Sequence, residues 1–205
     1  LGSQAIAVAA AAARPKMVLD MCAGAGGKTL ALAAMLPAET QIIAADTDRG
    51  RLSRIEPRKR RAGAENIGTI LLGPGKEMES LERMKASCDL VLIDAPCSGT
   101  GTWRRNPELR WRMTPKRLDH TTDLQQRLMD LGSEMVKPGG RLVYAVCSLL
   151  DAEGAGQTDR FLETHPKWRE ISIDLPVGRP YRKGILLSPH HDGTDGFYFT
   201  CLEKL

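Results

Sequence analysis

The sequence predicts an α/β fold in which helices cover both faces of a doubly wound, mostly parallel sheet of seven strands. Short apolar runs alternate with helical patterns along the whole chain, and this alternation is typical of parallel sheets covered by helices. Three of the apolar runs end in an aspartate, at Asp20, Asp46 and Asp94. Because ligands bind outside the carboxyl ends of parallel strands, we expect the three aspartates to line one functional rim.

Each element follows from its local pattern. The predicted strands are residues 17–20, 41–46, 69–72, 90–94, 141–145, 168–173 and 197–202. The predicted helices are residues 5–13, 29–36, 49–62, 115–136 and 158–164. Pro37 stops the second helix, Gly63 closes the third, and residues 137–140 (KPGG) break the fourth. Residues 176–195 are rich in Gly, Pro and His, and we expect them to form a long surface loop.

Length and composition indicate one globular domain. The 205 residues suffice for one α/β domain and are too few for a full second one. No apolar run approaches the roughly 18 residues that span a bilayer, and the alanine-rich stretch 5–13 has no basic region before it, so it indicates a packing helix rather than a signal peptide. The five cysteines form no CxxC pair and no zinc spacing. We therefore expect reduced thiols, a cytoplasmic location and no bound metal.

Two segments concentrate positive charge, residues 49–61 and residues 104–117. A single basic cluster is most often the solvated face of a helix or loop. The second cluster is accompanied by Trp103 and Trp111, which we expect to be exposed. The two clusters and the aromatic side chains together favour a phosphate-rich partner.

A glycine-rich turn, residues 22–29 (CAGAGGKT), follows the first strand. It matches neither the G-x-x-x-x-G-K-[ST] spacing of a phosphate-cradling loop nor the G-x-G-x-x-G spacing of dinucleotide-binding turns. Asp46, at the end of the second strand, is placed to accept hydrogen bonds from a ribose diol. A nucleoside without phosphate fits both observations, and S-adenosyl-L-methionine meets that description. In the alternative interpretation the glycines only shape a turn and Asp46 only caps the next helix.

Two cysteines directly follow neighbouring strands, Cys97 after strand four and Cys147 after strand five. Adjacent strands lie about 4.8 Å apart, so we expect both thiols to face one pocket. A thiolate that adds to C6 of cytosine makes C5 nucleophilic enough to take a methyl group, and Asp94 is the candidate for stabilising charge at N3. The other three cysteines are expected to be packed apolar residues, with the backbone of Cys22 near the cofactor.

With these motifs the chain resembles the Sun/Fmu-type (Nol/Nop/Sun) RNA cytosine-5 methyltransferases over essentially its whole length. The matching stretches are VLDMCA (18–23), GGKT (26–29), DAPCSGTG (94–101), RRNP (104–107), VKPGG (136–140) with LVY (142–144), CS (147–148) and DGF (195–197). Together these stretches are highly specific, whereas no single one would be.

The resemblance implies a Rossmann-like methyltransferase fold whose last strand is antiparallel, and an RNA substrate, preferably ribosomal RNA. It implies that Cys147 is the nucleophile and Cys97 the cysteine of product release. It also implies that Asp46, Asp94 and the turn line the S-adenosyl-L-methionine site, where the turn supplies Cys22, Ala23, Gly24, Ala25, Gly26, Gly27 and Lys28. In cytosine-5 DNA enzymes the cysteine after proline attacks, so Cys97 stays the alternative nucleophile.

We further expect residues 1–205 to be a single catalytic domain that is monomeric. Because the sequence has no initiator Met and the resemblance starts inside a motif at residues 1–4, we also expect that the family's upstream RNA-binding domain is not part of this chain. Three departures from the family pattern matter. The turn reads GAGG (24–27) where Ala-Pro-Gly-Gly is usual, and Pro74 stands where an Asp near the adenine is usual. Of the usual Glu-Glu-Asn stretch after the second cysteine, only Asp151 and Glu153 survive.

Two rival functions are compatible with parts of this pattern. Pro74 and the missing acids suggest a degenerate methyltransferase fold that acts as an RNA-binding or assembly factor, for which cofactor binding would be weak and Cys147 dispensable. The run DAPC (94–97) also resembles the Asn/Asp-Pro-Pro-Tyr loops of amine methyltransferases. Cys97 cannot stack on a base as tyrosine does, however, and Cys147 would then have no role.

Overall fold

The computed structural model describes residues 2–205, which contain one sheet of nine strands. The strands are β1 (Met17–Asp20), β2 (Gln41–Asp46), β3 (Ile67–Leu71), β4 (Cys88–Asp94), β5 (Val136–Val146), β6 (Trp168–Glu170), β7 (Arg179–Tyr181), β8 (Gly184–Leu187) and β9 (Phe197–Lys204). Their order across the sheet is β3-β2-β1-β4-β5-β9-β8-β7, and β6 pairs with β9. Strands β1 to β5 are parallel, and β9 is antiparallel to β5. The predicted α/β class is confirmed.

Helices cover both faces of the sheet, as predicted. They are α1 (Gly2–Ala11), α2 (Gly27–Met35), α3 (Arg49–Leu52), α4 (Ile55–Ala62), α5 (Glu77–Leu81), α6 (Pro115–Met135), α7 (Ala155–Thr164) and α8 (Pro189–Asp192), with 3-10 turns at Glu82–Met84, Thr100–Thr102 and Pro107–Arg112. Among residues 2–205, no helix is both long enough and apolar enough to cross a bilayer.

The two-sided burial of β4 shows why the sheet needs both helical layers. Leu90 and Leu92 pack into a core with α1, α2, α3 and α4, whereas Val91 and Ile93 pack into a second core with α5, α6 and α7. None of the four side chains has any exposed surface. Because successive side chains of a strand point to opposite faces, a continuous apolar run of this kind predicts a strand covered on both sides.

The strand count differs from the prediction because residues 176–195 are not a plain surface loop. They contain β7, β8 and α8, and β8 extends the sheet by pairing antiparallel with β9. A two-residue turn joins β7 to β8, with Arg182 at a positive φ of 51°. Ile185 and Leu187 are buried at alternate positions of β8. This period-two burial stabilises the strand, although the residues around it are rich in Gly and Pro.

Two helix boundaries also differ from the prediction. The basic helix expected over 49–62 is two helices, α3 and α4, because Pro57 has no N–H to continue the ladder and its ring clashes with the preceding turn. Residues 137–140, expected as a break, belong to β5. Gly139 provides a positive φ of 74° there, and the missing side chain of Gly140 lets the backbone pass close to the carbonyl of Cys88.

Candidate active site

The three strand-ending aspartates meet at one rim of the sheet. Asp20, Asp46 and Asp94 are the last residues of β1, β2 and β4, and these strands are adjacent in the order β2-β1-β4. The chain order reverses between β1 and β4, which is the position where open α/β sheets bind ligands. The sequence therefore predicted the location of the rim correctly.

Asp46 fixes the glycine-rich turn from the neighbouring strand. Its carboxylate accepts a hydrogen bond from Gly24 N at 2.7 Å and another from Asp48 N at 2.8 Å. Gly24 and Gly26 have positive φ values of 54° and 79°, which side chains disfavour. The turn therefore needs glycine at both places. The start of α3 is capped by Asp48, which accepts from Arg51 N at 2.9 Å, and not by Asp46.

Two arginines of the first basic segment, residues 49–61, contact the glycine-rich turn instead of lying free on the surface. A Cβ atom on Gly24 would lie 2.3 Å from the Arg51 guanidinium, which shows how closely that group approaches. Arg58 donates a hydrogen bond from Nη1 to the carbonyl oxygen of Ala25 at 2.5 Å. These two contacts were not predicted, because a run of arginines gives no indication of which members fold back onto the turn.

Lys28 and Thr29, at the end of the turn, contact two of the strand-ending aspartates. Lys28 Nζ lies 2.5 Å from Asp94 Oδ2, and Thr29 Oγ1 donates to Asp20 Oδ2 at 2.7 Å. The second oxygen of Asp20 is buried without a hydrogen-bond partner among residues 2–205. Burial raises the pKa of Asp20 to about 6, with smaller increases from the nearby Asp94 and Asp46 charges.

A cavity of about 530 Å³ opens along this rim. Of the predicted site residues, it is lined by Cys22, Asp46, Asp94, Cys97 and Cys147. The predicted turn residues that follow Cys22, from Ala23 to Lys28, are not among its lining residues. Two of them donate hydrogen bonds to lining carboxylates, Gly24 to Asp46 and Lys28 to Asp94. One cavity thus extends from the carboxylate of Asp46 to the two cysteines.

The two predicted cysteines lie in direct contact at the end of this cavity. Their Sγ atoms are 3.3 Å apart, although fifty residues separate Cys97 from Cys147 in the chain. The hydrogen bond from the Cys97 thiol lowers the pKa of Cys147, and the same contact raises the pKa of Cys97. The charge of Lys28 also lowers the pKa of Cys147, whereas that of Glu153 raises the pKa of Cys97. Cys147 is therefore the more readily ionised thiol of the pair.

Cys22 is a different case, because it lines the cavity but is not prepared to react. Desolvation raises the pKa of its thiol, and the charges of Asp20 and Asp94 raise it further. Cys88 and Cys201 are buried in the core. All three side chains thus pack as small apolar groups.

A buried polar network behind the cysteines was not predicted. Glu153 has no exposed surface; its carboxylate accepts hydrogen bonds from the backbone nitrogen and the hydroxyl of Ser98. Ser148 contacts Ser98 at 3.2 Å and Thr100 at 3.0 Å between hydroxyl oxygens. The network joins the loop of Cys97 to the loop of Cys147. The only sequence signal for it was that Glu153 survives from the acidic stretch usual after the second cysteine.

The opposite end of the cavity contains an ion pair that the sequence also did not reveal. Glu77 is buried and pairs in bidentate fashion with Arg127, at 2.9 and 3.0 Å. The hydrogen bond from Arg127 is the main reason why the pKa of Glu77 is lowered. Both residues line the cavity beside Pro74. Pro74 stands where the acid is usual, and the next acid along the chain, Glu77, is already neutralised by Arg127.

The loop after Cys97 is held by a tight junction with the segment before β9. Gly101 N donates to the carbonyl oxygen of Cys147 at 3.0 Å, and Gly196 N donates to that of Gly101 at 2.8 Å. Arg105 pairs with Asp195 at 2.6 Å. These contacts explain why the DAPCSGTG, RRNP and DGF motifs occur together, since all three meet at one place.

Among residues 2–205 no three His, Cys, Asp or Glu side chains are grouped as metal ligands would be. His190 and His191 lie in α8, where their rings contact each other edge to face.

The chain is similar to known RNA methyltransferases over the residues that form this site. A family model described as 16S rRNA methyltransferase RsmB/F matches residues 7–203. A protein of Synechocystis sp. named "Probable ribosomal RNA small subunit methyltransferase B" is 37% identical over 198 residues, covering 91% of this chain and 43% of that protein. The ribosomal RNA small subunit methyltransferase B of Thermus thermophilus is 35% identical over 196 residues, covering 94% of this chain and 46% of that protein. The crystal structure of NSun6 from Pyrococcus horikoshii with SFG matches with a TM-score of 0.87 at 26% identity, over 100% of this chain and 52% of that chain.

The chain thus spans about half the length of the curated relatives it matches. The match over residues 7–203 includes the rim, the cavity and both cysteines. The family predicted from the sequence motifs is therefore confirmed: the chain belongs to the 16S rRNA methyltransferase RsmB/F family.

Proposed function

We propose that this chain is the catalytic domain of an RNA (cytosine-5) methyltransferase that uses S-adenosyl-L-methionine and prefers ribosomal RNA. The observation that carries the proposal is the contact between Cys97 and Cys147, 3.3 Å apart at the end of a cavity that begins at Asp46. Family membership and the names of the relatives support the ribosomal substrate. The cysteine pair supports carbon rather than nitrogen as the methylated atom, because nitrogen needs no covalent activation.

The residues of the rim fit S-adenosyl-L-methionine. A volume of about 530 Å³ lies within the usual range for small-molecule sites. Asp46 is placed for a ribose diol, since each of its oxygens accepts one backbone hydrogen bond and has a further lone pair. The carboxylate of Asp94, which lines the cavity, suits a ligand that carries sulfonium and ammonium charges. When bound, the cofactor would supply an electrophilic methyl group beside the cysteines.

Cys147 would serve as the nucleophile. Its pKa is lowered by the hydrogen bond from Cys97, so a larger fraction is thiolate at neutral pH than for a free thiol. The thiolate would form a bond to C6 of cytosine, and the electron pair of the C5–C6 double bond would move onto C5 and towards N3. N3 would take a proton from solvent water as the charge develops, and the carboxylate of Asp94, held by Lys28 at 2.5 Å, would accept a hydrogen bond from that N3–H.

Cys97 would assist the release of the product. Once C5 carries the methyl group, water in the open cavity would take the C5 proton, and the electron pair of the C5–H bond would re-form the C5–C6 double bond. The bond between sulfur and C6 would break with its electron pair returning to the Cys147 sulfur, and N3 would return its proton to water. The Cys97 thiol lies 3.3 Å from the Cys147 sulfur and is placed to donate a hydrogen bond to that thiolate as it departs. The raised pKa of Cys97 keeps this donor protonated.

The test combines labelled S-adenosyl-L-methionine with unmodified ribosomal RNA and three variants, Cys147→Ala, Cys97→Ala and the control Cys201→Ala. Cys201 is a buried cysteine away from the cavity. Denaturing gels would report both methyl transfer and any covalent adduct between protein and RNA. We expect Cys147→Ala to lose transfer, Cys97→Ala to accumulate the adduct, and Cys201→Ala to behave as the wild type.

The other outcomes are informative as well. An adduct that accumulates in Cys147→Ala would exchange the two roles and make Cys97 the nucleophile. Absence of transfer and adduct in a folded wild type that binds RNA would contradict the proposal and favour an RNA-binding or assembly factor. Identification of the labelled base as 5-methylcytosine after nuclease digestion would test the position of the methyl group directly.

A further inference from the structure

We propose that Trp111, with the arginines beside it, is the surface on which unpaired nucleotides next to the target cytosine stack. We call Trp111, Arg104, Arg110 and Arg112 the Trp111 surface. The inference rests on the proposed function and deepens it, because it names the residues that hold single-stranded RNA beside the cysteine pair.

The structure separates Trp111 from the other tryptophans. Trp111 is 82% exposed, whereas Trp168 is buried and the indole nitrogen of Trp103 is buried as well. The expected exposure is thus correct for Trp111 and wrong for Trp103. Trp111 lies in the 3-10 turn Pro107–Arg112, which buries none of its side chains. A large aromatic ring left in water without a packing role is characteristic of a binding surface.

The charge around this ring is positive and largely unpaired. Residues 104–117 contain six basic residues and one acidic residue, Glu108. Of these basic residues, only Arg105 forms an ion pair within the part of the chain from 2 to 205. The guanidinium of Arg110 lies 5.4 Å from the centre of the Trp111 ring. In the first basic segment, by contrast, Arg51 and Arg58 are engaged with the glycine-rich turn.

The Trp111 surface is fixed next to the cysteines. Leu109 packs against the loop of Cys97, since a Cβ atom on Gly99 would lie 3.0 Å from its Cδ1 atom. The segment is held at its other end by the pair of Arg105 with Asp195. A polynucleotide that places one base beside the Cys97–Cys147 pair would therefore bring its neighbouring nucleotides to this segment.

Aromatic rings flanked by arginines bind single strands, because unpaired bases stack on the ring while cations contact the phosphates. Attack at C6 also requires a target base that has left its stack. In duplex RNA the faces of the bases are stacked on each other. A duplex would therefore contact the arginines through its phosphates but could not stack a base on Trp111. These arguments favour single-stranded RNA over duplex RNA as the occupant.

The test measures binding of a short labelled single-stranded oligoribonucleotide that contains one cytosine, and of its duplex. The variants are Trp111→Ala, Trp111→Phe and the control Arg160→Ala, an exposed arginine of α7 outside both basic segments. We expect Trp111→Ala to weaken single-strand binding about tenfold or more, Trp111→Phe to keep most of the affinity, and Arg160→Ala to change it about twofold at most. Duplex binding should be unchanged in Trp111→Ala.

Methyl transfer by the same variants distinguishes this inference from the function on which it rests. Trp111→Ala should raise the KM for RNA and leave kcat nearly unchanged. Single-strand binding that is equal in Trp111→Ala and the wild type would overturn the inference, as would an equal loss for the duplex. A wild type that binds RNA through Trp111 but transfers no methyl group would instead contradict the proposed function and leave the inference standing.

Discussion

The buried carboxylate of Glu153 accepts hydrogen bonds from both the backbone nitrogen of Ser98, at 2.7 Å, and its hydroxyl. Ser98 directly follows Cys97, whereas Glu153 belongs to the segment that follows Cys147. One side chain therefore ties together the two loops that carry the cysteines. The sulfurs of the two cysteines that these loops carry are 3.3 Å apart.

Replacing Glu153 by Gln should lower the rate of methyl transfer without lowering cofactor affinity. The change removes the charge that both hydrogen bonds of Ser98 reach, and such bonds contribute about 1.5–3 kcal/mol each. We expect kcat to fall about tenfold or more and the Kd of S-adenosyl-L-methionine to stay within about twofold. Single-turnover kinetics and calorimetry would measure the two quantities. Glu163→Gln, on the exposed side of α7, is the control. An unchanged kcat in Glu153→Gln would contradict the role of Glu153 in holding the two cysteine loops together.

The pH dependence of adduct formation should report the ionisation of Cys147. The thiolate is the reactive form, and the pKa of Cys147 is lowered by the hydrogen bond from Cys97 and by the charge of Lys28. Removal of either group should raise that pKa, so the rising limb of the pH–rate profile should move to higher pH in Cys97→Ala and in Lys28→Met. Quenched-flow detection of the adduct would provide the profiles, with Cys201→Ala as the control. If the rising limb lies at the same pH in both variants as in the wild type, neither Cys97 nor Lys28 lowers the pKa of Cys147.

The rim could be predicted from the sequence because its geometry is local to each strand. Asp20, Asp46 and Asp94 end apolar runs, and parallel strands bring such ends to one edge whatever the loops do. The contact of Cys97 with Cys147 follows from the same rule for two adjacent strands. These features need only strand periodicity and the order of the sheet.

The residues that were missed depend on how loops approach each other. Glu153 reaches Ser98, and Arg127 reaches Glu77, only because α6, α7 and the strand-end loops pack in three dimensions, which no spacing in the chain encodes. The strands β7 and β8 were missed for a related reason. Their stability comes from pairing with β9 and from burial of Ile185 and Leu187, whereas Gly and Pro around them favour a loop.

Restoring an acid at position 74 should tighten cofactor binding. Pro74 lines the cavity where the family usually has an aspartate, and the nearby Glu77 is already paired with Arg127. An aspartate at this position would offer an acceptor to an amino group of the adenine, so Pro74→Asp should lower the Kd of S-adenosyl-L-methionine about tenfold. Pro74→Ala is the matched control for the loss of the rigid proline ring. Equal Kd values for the two variants, measured by calorimetry, would indicate that the adenine lies elsewhere.

Replacing the buried Asp20 by Asn should stabilise the fold at neutral and alkaline pH. Burial raises the pKa of Asp20 from 3.8 to about 6, so the stability of the wild type is fully present below pH 3.8 and is partly lost as the pH rises through 6. A shift of this size corresponds to roughly 3 kcal/mol above pH 7. Asn lacks the charge and still accepts the hydrogen bond that Thr29 donates.

Denaturant titrations at pH 8 and pH 5 would test this expectation. At pH 8 Asp20→Asn should exceed the wild type by up to roughly 3 kcal/mol, and at pH 5 the advantage should shrink to about half, because the wild-type carboxyl is then largely protonated in the folded state. Asp174→Asn, at an exposed position, should show no such pH-dependent gain. A loss of stability in Asp20→Asn at pH 8 would mean that the negative charge of Asp20 stabilises the rim, with Lys28 as the nearest candidate for its partner.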